Sequence, residues 1–251
     1  MRQVPQGQKS YTLIGSGRMA KHLSHYLKLK GFNIYNWSRS DEPEFNSLPI
    51  TPDQTSEQRL EILADKTSHI LLAINDNAIQ EYADRYSHDH SVIHFSGSFY
   101  CENSMGLHPL MTFPEELYPD EFYETIPIVI DQPITLSDVL PGLNNPFYQI
   151  KPEQKSFYHC LCSMGGNFTQ ILLQKVINEF SDNFNIPASA LDPYLNKVLY
   201  NSLNQPESLT GPLTRGDAET ISKHKESLKE KPELELYQAF ENYYKNTRLK
   251  K

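Results

Sequence analysis

The chain has 251 residues, enough for one large or two modest domains, and its 31 acidic against 23 basic side chains leave a formal charge of -8. That balance excludes a general nucleic-acid binder, which needs a basic excess to displace counterions from phosphates. No apolar run reaches bilayer-spanning length, and the polar start MRQVPQGQKS lacks a signal-peptide core. Three cysteines (Cys101, Cys160, Cys162) are too few for a disulfide framework, so the expectation is a soluble, cytoplasmic protein with core thiols.

The first predicted element is a strand in Tyr11–Ile14, which breaks into Gly15-Ser16-Gly17 and passes into helical spacing of Met19, Leu23, Tyr26 and Leu27. In this G-x-G-x-x-A pattern Gly15 allows a tight turn, and Gly17 lets the backbone approach a pyrophosphate whose charge faces the helix N-terminus. Ser16, Arg18 and Met19 complete the candidate cradle. Gly31 ends the helix, and a second strand spans Asn33–Trp37. It runs into Ser38-Arg39-Ser40, where an acidic residue would bond the ribose of NAD. An arginine beside hydroxyls suits instead the extra phosphate of NADP, with Asp41 keeping NAD as the lesser alternative.

Glu42 to Thr55 is proline-containing and reads as loop, followed by a short helix through Leu60, Leu63 and Ala64. His69 to Ile74 is a continuous apolar run, the mark of a central parallel strand. Ala73, Ile74, Asn75 and Asp76 at its C-terminal end are candidate cofactor contacts, because ligands of open α/β sheets gather there. Asp76 is expected to cap the next helix, from Ala78 toward Tyr86. Ser91–Phe95 gives another strand, and Ser96-Gly97-Ser98 is a loop small enough for a cofactor to lie against its backbone. Gly106–Phe113, a β-rich Ile126–Ile130 and a last strand at Phe147–Ile150 follow. The alternation predicts an α/β fold, with a Rossmann-type, mostly parallel sheet over residues 1–152. Residues 153–251 read as all-helical: a long, largely buried helix from Lys155 to Phe180, then helices starting at Asp192-Pro193, near Asp217 and near Pro232.

Three places carry candidate chemistry. His108, expected just beyond a strand, is a candidate proton donor to a carbonyl or imine because imidazole titrates near neutral pH, with loop anchoring as its structural alternative. His159, Ser163 and Asn167 fall four apart on one helix face. Beside them Gly165-Gly166 cost about 1 kcal/mol each relative to alanine, which predicts close approach of a ligand or another backbone. Arg215, in the loop Ser208–Asp217, is able to hold a substrate carboxylate through paired bonds, or to pair with Asp217. His94 reads as structural, and His22, His25, His88, His90 and His224 as surface residues. No metal site is predicted, since neither paired cysteines nor His-x-x-x-His on a helix occurs.

The ordered blocks LIGSGRMA, Ser38-Arg39, LLAINDNAI, HFSGS, GLHPLMTF, YHCLCSMGGNF and SLTGPLTRGDAETISKH together resemble bacterial Rossmann-like proteins with a C-terminal domain of unknown function 2520. The resemblance implies an architecture similar to 6-phosphogluconate, β-hydroxyacid and ketopantoate dehydrogenases and pyrroline-5-carboxylate reductase, with NADP as cofactor and the substrate open. It also implies that His159, Asn167, Thr210 and Arg215 supply proton-transfer or substrate-orienting groups, and it places His108 in the matching His-Pro block. Two departures stand out: Gly166 occupies a position where a serine is expected, and the lysine–asparagine pair of the β-hydroxyacid enzymes is not evident. The expectation is an NADP(H)-dependent oxidoreductase acting on a small carbonyl or imine substrate, dimeric through its helical domain, without nucleic-acid or membrane partners. Its rival is a non-catalytic dinucleotide-binding or sensing protein on the same fold.

Overall fold

The computed structural model describes residues 9–40 and 42–248; Asp41, the acid that favours NAD, lies outside the described residues. Seven strands, β1 (Ser10–Ile14), β2 (Asn33–Trp37), β3 (His69–Leu72), β4 (Ser91–His94), β5 (Met105–Pro109), β6 (Ile128–Ile130) and β7 (Phe147–Gln149), form one sheet in the order β2-β1-β3-β4-β5-β6-β7. The first five run parallel, whereas β6 is antiparallel to β5 and parallel to β7.

Successive side chains of a strand point to opposite faces, and here both faces are apolar because helices cover both. Tyr11, Leu13, Leu71, Ile93 and Leu107 share one core with Ala20 and Leu27 of α1 (Arg18–Leu29). Ile14, Ile70, Leu72 and Val92 share the other with Leu60 and Leu63 of α2 (Ser56–Ala64) and Ile79 and Ala83 of α3 (Asp76–Tyr86). A capping box between Thr55 and Gln58 starts α2. The predicted cap of α3 is corrected: Asn75 holds the N-cap position, Asp76 is already helical, and its carboxylate accepts a bond from Ser98 Oγ at 2.8 Å.

His22 also departs from expectation. It is fully buried, with Nε2 paired to the Pro114 carbonyl at 3.0 Å and Nδ1 to the Tyr123 hydroxyl at 2.8 Å, inside a cluster of Phe113, Tyr118 and Tyr123 rings. Its neighbours along the chain are amphipathic, and the groups that satisfy it come from a much later segment.

After α4 (Leu136–Val139), the helix α5 (Lys155–Ser163), a π-helical turn (Met164–Phe168) and α6 (Thr169–Phe184) follow without a break and supply the predicted long helix. It is not buried: Phe157, Phe168 and Ile171 are 69%, 60% and 68% exposed. The helical spacing is there, but the apolar face it makes is left exposed. For the same reason Cys160 is exposed and Cys162 half-buried, and only Cys101 is a core thiol. Beyond the helix's own backbone, no described atom lies within 4 Å of where a Cβ would sit at Gly165 or Gly166, so no other backbone of the described residues packs close to them. They lie instead in the wider π turn.

The chain divides into two compact units, Met1–Leu172 and Leu173–Lys251, and the division falls inside α6. The boundary drawn at 152/153 marks where the strand pattern ends. The second unit holds the rest of α6 and α7 (Ala188–Asn204), α8 (Pro212–Arg215), α9 (Ala218–Ser227) and α10 (Glu233–Arg248). Helix α7 starts earlier than expected because Pro187 provides the first start signal, which leaves Pro193 inside the helix. Asp217 caps α9 by accepting the Thr220 N–H at 3.3 Å, as its position predicts. No helix among the described residues is long and apolar enough to cross a membrane.

Candidate functional site

At the end of β1 the backbone of Gly15 takes φ +121°, and a Cβ there would overlap the Ala73 carbonyl oxygen just beyond β3. Glycine is therefore required by the neighbouring strand as well as by the turn. Gly17 is the N-cap of α1, with no side-chain capping bond and no acidic residue in the first turn, and a Cβ there would meet open space. The leading N–H groups of α1 are left without a side-chain cap. Around them lies a cavity of about 590 Å³, bounded by Ile14–Ala20, Trp37–Ser40, Ala73–Asn75, Ala78, Tyr82 and Phe113. It occupies the crevice at which the chain leaves β1 for β2 on one side and β3 on the other, the usual ligand position in open α/β sheets.

Gly15, Ser16, Gly17, Arg18, Met19, Ser38, Arg39, Ala73, Ile74 and Asn75 all line this cavity. Ser38 is buried and its N–H bonds Asn46 Oδ1 at 2.7 Å, whereas Arg39 is exposed. One residue that the sequence did not single out is bonded to this lining. Glu42, assigned to a loop, turns its carboxylate back to the glycine turn and accepts the Ser16 hydroxyl proton at 2.7 Å.

A second cavity of about 260 Å³ shares Met19, Ile74 and Phe113 with the first and is completed by Asp76, Phe95, Ser96, Gly97, His108, Pro109, Met111 and His159. The His108 and His159 rings meet edge to face with centroids 5.7 Å apart. A Cβ at Gly97 would overlap His159 Cδ2 and crowd His108 Nε2, so the small Ser96-Gly97-Ser98 loop is what lets two imidazoles from different elements come together.

His108 lies within β5 rather than beyond a strand, and its Nδ1 engages the Tyr158 hydroxyl of α5 at 2.7 Å. Burial, reinforced by His159 and Lys155 and opposed by Asp76, pushes His108 down to about 4. The expectation of titration near neutral pH is thereby corrected: in this setting the ring is neutral at pH 7. Burial and a bond to Cys162 push the Tyr158 phenol up, so it stays protonated. Tyr158 was missed although it adjoins His159 in the YH pair.

Beneath the histidines lies a buried ion pair. Lys155 Nζ stands 2.7 Å from Asp131 Oδ2 and donates to the Ser96 carbonyl at 3.1 Å, while Asp131 Oδ1 accepts the Gly106 N–H at 2.9 Å. The two side chains are only 3% and 2% exposed. A Cβ at Gly106 would overlap the Asp131 carboxylate, so β5 needs glycine at that point. The pair ties β5, the segment after β6, the Ser96 loop and the first turn of α5 together, and His159 sits one helical turn further along α5. His94, also fully buried, accepts the Ser96 N–H at 3.2 Å and is lowered by burial and by Lys155.

The other candidates are placed differently. Asn167 is exposed in the π turn and lines neither cavity. Arg215 and Thr210 belong to the second unit and are exposed, and Arg215 pairs with Asp217 at 3.7 Å. Among the described residues no group of three or more His, Cys, Asp or Glu side chains is arranged to hold a metal ion.

Residues 134–244 match the model of a domain of unknown function, DUF2520. The matched stretch contains Lys155, Tyr158 and His159, and His159 lines the histidine cavity. No curated protein matches the sequence. Among solved structures, the chain is similar to a "putative NADP oxidoreductase" from Bacteroides fragilis, at 21% identity and TM-score 0.72 over 94% of this chain and 98% of that one. A protein from Thermotoga maritima gives 18% identity and TM-score 0.58 over 94% and 97%. The 1-pyrroline-5-carboxylate reductase of Streptococcus pyogenes gives 15% and 0.59 over 95% and 97%. These likenesses establish the fold: a Rossmann-type sheet followed by a helical C-terminal part.

Proposed function

We propose that the protein is an NADP(H)-dependent oxidoreductase that moves a hydride to or from a small carbonyl or imine compound. The observation that carries this reading is the adjacency of the two cavities, which share Met19, Ile74 and Phe113, with an uncapped helix N-terminus and its glycine turn in one and a pair of imidazoles in the other. A dinucleotide has a phosphate-rich part and a reactive ring, and the groove offers a fitting surface to each. Gly15 to Met19 would hold the pyrophosphate, Ser38 and Arg39 the extra phosphate of NADP, and Ser96-Gly97 would lie by the nicotinamide, which supplies or accepts the hydride when bound. Two names among the similar structures point the same way: the Bacteroides protein is described as an NADP oxidoreductase, and the Streptococcus protein as a reductase of a pyrroline, a cyclic imine.

In this reading His108 works as a neutral hydrogen-bond donor. With Nδ1 engaged by Tyr158, its Nε2 is the nitrogen turned toward Gly97 and the cavity, suited to polarise a carbonyl oxygen or imine nitrogen. His159, beside it, is the group placed to exchange the proton.

Titration of NADPH and NADH into wild type and Arg39→Ala tests the reading. NADPH is expected to raise thermal stability and saturate, and Arg39→Ala to weaken it about 10- to 100-fold, the worth of a charge-assisted bond to phosphate, with NADH little changed. The absence of heat or thermal shift with either dinucleotide at millimolar concentration rejects the proposal, and equal losses for both reject the role of Arg39. Binding without NADPH oxidation across a panel of small ketones and imines favours the sensing alternative.

We infer in addition that two subunits pair through the helical part. Phe157, Leu161, Met164, Phe168 and Ile171 recur every three or four residues along one helix and are all exposed, a contiguous apolar stripe that a monomer in water does not favour. Sedimentation at micromolar concentration should return twice 28.9 kDa, and the mass of a single chain refutes the pairing.

A further inference from the structure

Glu42 contributes nothing to either sheet core, yet its carboxylate is turned toward two serines that line the large cavity. Its Oε1 accepts the Ser16 hydroxyl at 2.7 Å and the Ser40 hydroxyl at 3.3 Å, and its Oε2 stands 3.8 Å from Lys21 Nζ on α1. Ser16 belongs to the glycine turn and Ser40 to the segment after β2. The two hydroxyl oxygens are 3.4 Å apart, and both residues line the cavity with Ser38 and Arg39. Glu42 thus sits at the meeting point of the two segments that bound the nucleotide end.

A hydroxyl has one proton to donate. In the free protein the Ser16 proton goes to a carboxylate, and Ser40 has the same carboxylate and the Ser38 hydroxyl as acceptors, both at 3.3 Å, so a donor that a ribose phosphate would recruit already serves an anion of the protein's own. A phosphate arriving beside Arg39 must take that proton from Glu42 and meets a like charge at short range. An unphosphorylated ribose meets neither obstacle, because its hydroxyls are uncharged and can themselves donate to the carboxylate.

We propose that Glu42 is a specificity-determining residue, an internal anion that lowers affinity for the phosphorylated dinucleotide relative to the unphosphorylated one and so opposes Arg39. This rests on the dinucleotide reading of the cavity. The selectivity of the protein is then set by two residues of opposite sign on the same rim rather than by the arginine alone.

The test is a calorimetric titration of NADPH and NADH into the full-length protein and its Glu42→Gln and Glu42→Ala variants. Glutamine keeps the size and one acceptor oxygen but removes the charge, and alanine controls for any new bond the amide makes. Both variants should bind NADPH about tenfold more tightly, with NADH changed less than about threefold. An unchanged NADPH-to-NADH ratio, or weaker NADPH binding in both variants, overturns the inference while leaving the dinucleotide reading intact. If wild type binds neither dinucleotide, the dinucleotide reading fails and takes this one with it. Glu42 lies outside both cores, which makes loss of folding an unexpected outcome, and the near-constant NADH affinity checks for it.

Discussion

The two ends of the groove are built from different materials. At the nucleotide end the recognising groups are backbone: a glycine turn, the uncapped N-terminus of α1 and the ends of three strands, with the exposed Arg39 and the half-buried Glu42 beside them. At the other end they are side chains drawn from separate segments, His108, Asp131, Lys155, Tyr158 and His159, packed beside Gly97, and the charged pair among them is withdrawn from water. A backbone site keeps its shape when a rim residue changes. A buried network of charges depends on each partner, because an unpaired member has no solvent to turn to.

The largest expected effect follows from that dependence. Lys155→Met preserves most of the side-chain stem but leaves the Asp131 carboxylate buried without its cation and the Ser96 carbonyl without its donor. Removing one partner of a buried pair typically costs about 3–5 kcal/mol, to be read as a fall in the urea midpoint at pH 7. Arg18→Ala, which deletes an exposed pair with Glu115 at 3.7 Å, should shift stability by less than about 1 kcal/mol. If the two substitutions cost the same, the contrast between the ends has no energetic content.

The nucleotide end was legible in the sequence because its signals are local. The apolar run, the glycines and the helical spacing that follow lie within consecutive residues, and β2 with Ser38-Arg39 comes directly after. The histidine end was legible only in part. His108 and His159 could be singled out by type, but nothing near Asp131 announces Lys155, and nothing near His108 announces Tyr158, since these contacts join positions far apart in the chain. The fate of His22 was hidden in the same way. Strand direction was equally silent: Ile-Val-Ile reads as a strand whether it runs parallel or, as β6 does, antiparallel to its neighbour. For the long helix, periodicity revealed an apolar face but could not say what covers it, and the expectation of burial therefore failed at Phe157 and Ile171.

A smaller effect separates the two ends by pH. His108 is held down at about 4, chiefly by burial, and in the unfolded chain the same ring titrates near 6.5. Between those values the unfolded state binds the proton and the native state does not. Stability is therefore full above the unfolded pKa, falls as pH drops through the window, and stops falling below about 4, where both states are protonated. Each such histidine contributes up to about 1.4 kcal/mol per pH unit inside the window. His69, lowered to about 4 by burial and by Lys9 and His90, and His94 act in the same direction, so wild type should lose stability between pH 6 and 5 with a slope of more than one proton. His108→Asn should be flatter by about one proton, because asparagine cannot titrate, whereas Arg39→Ala should run parallel to wild type since it changes only the solvent-backed rim. Urea midpoints at pH 7, 6 and 5 measure all three slopes. If His108→Asn overlays wild type, the native state accepts a proton at His108 without penalty. The histidine end would then be as well solvated as the nucleotide end, and His108 would have to be treated as a cationic acid rather than a neutral donor.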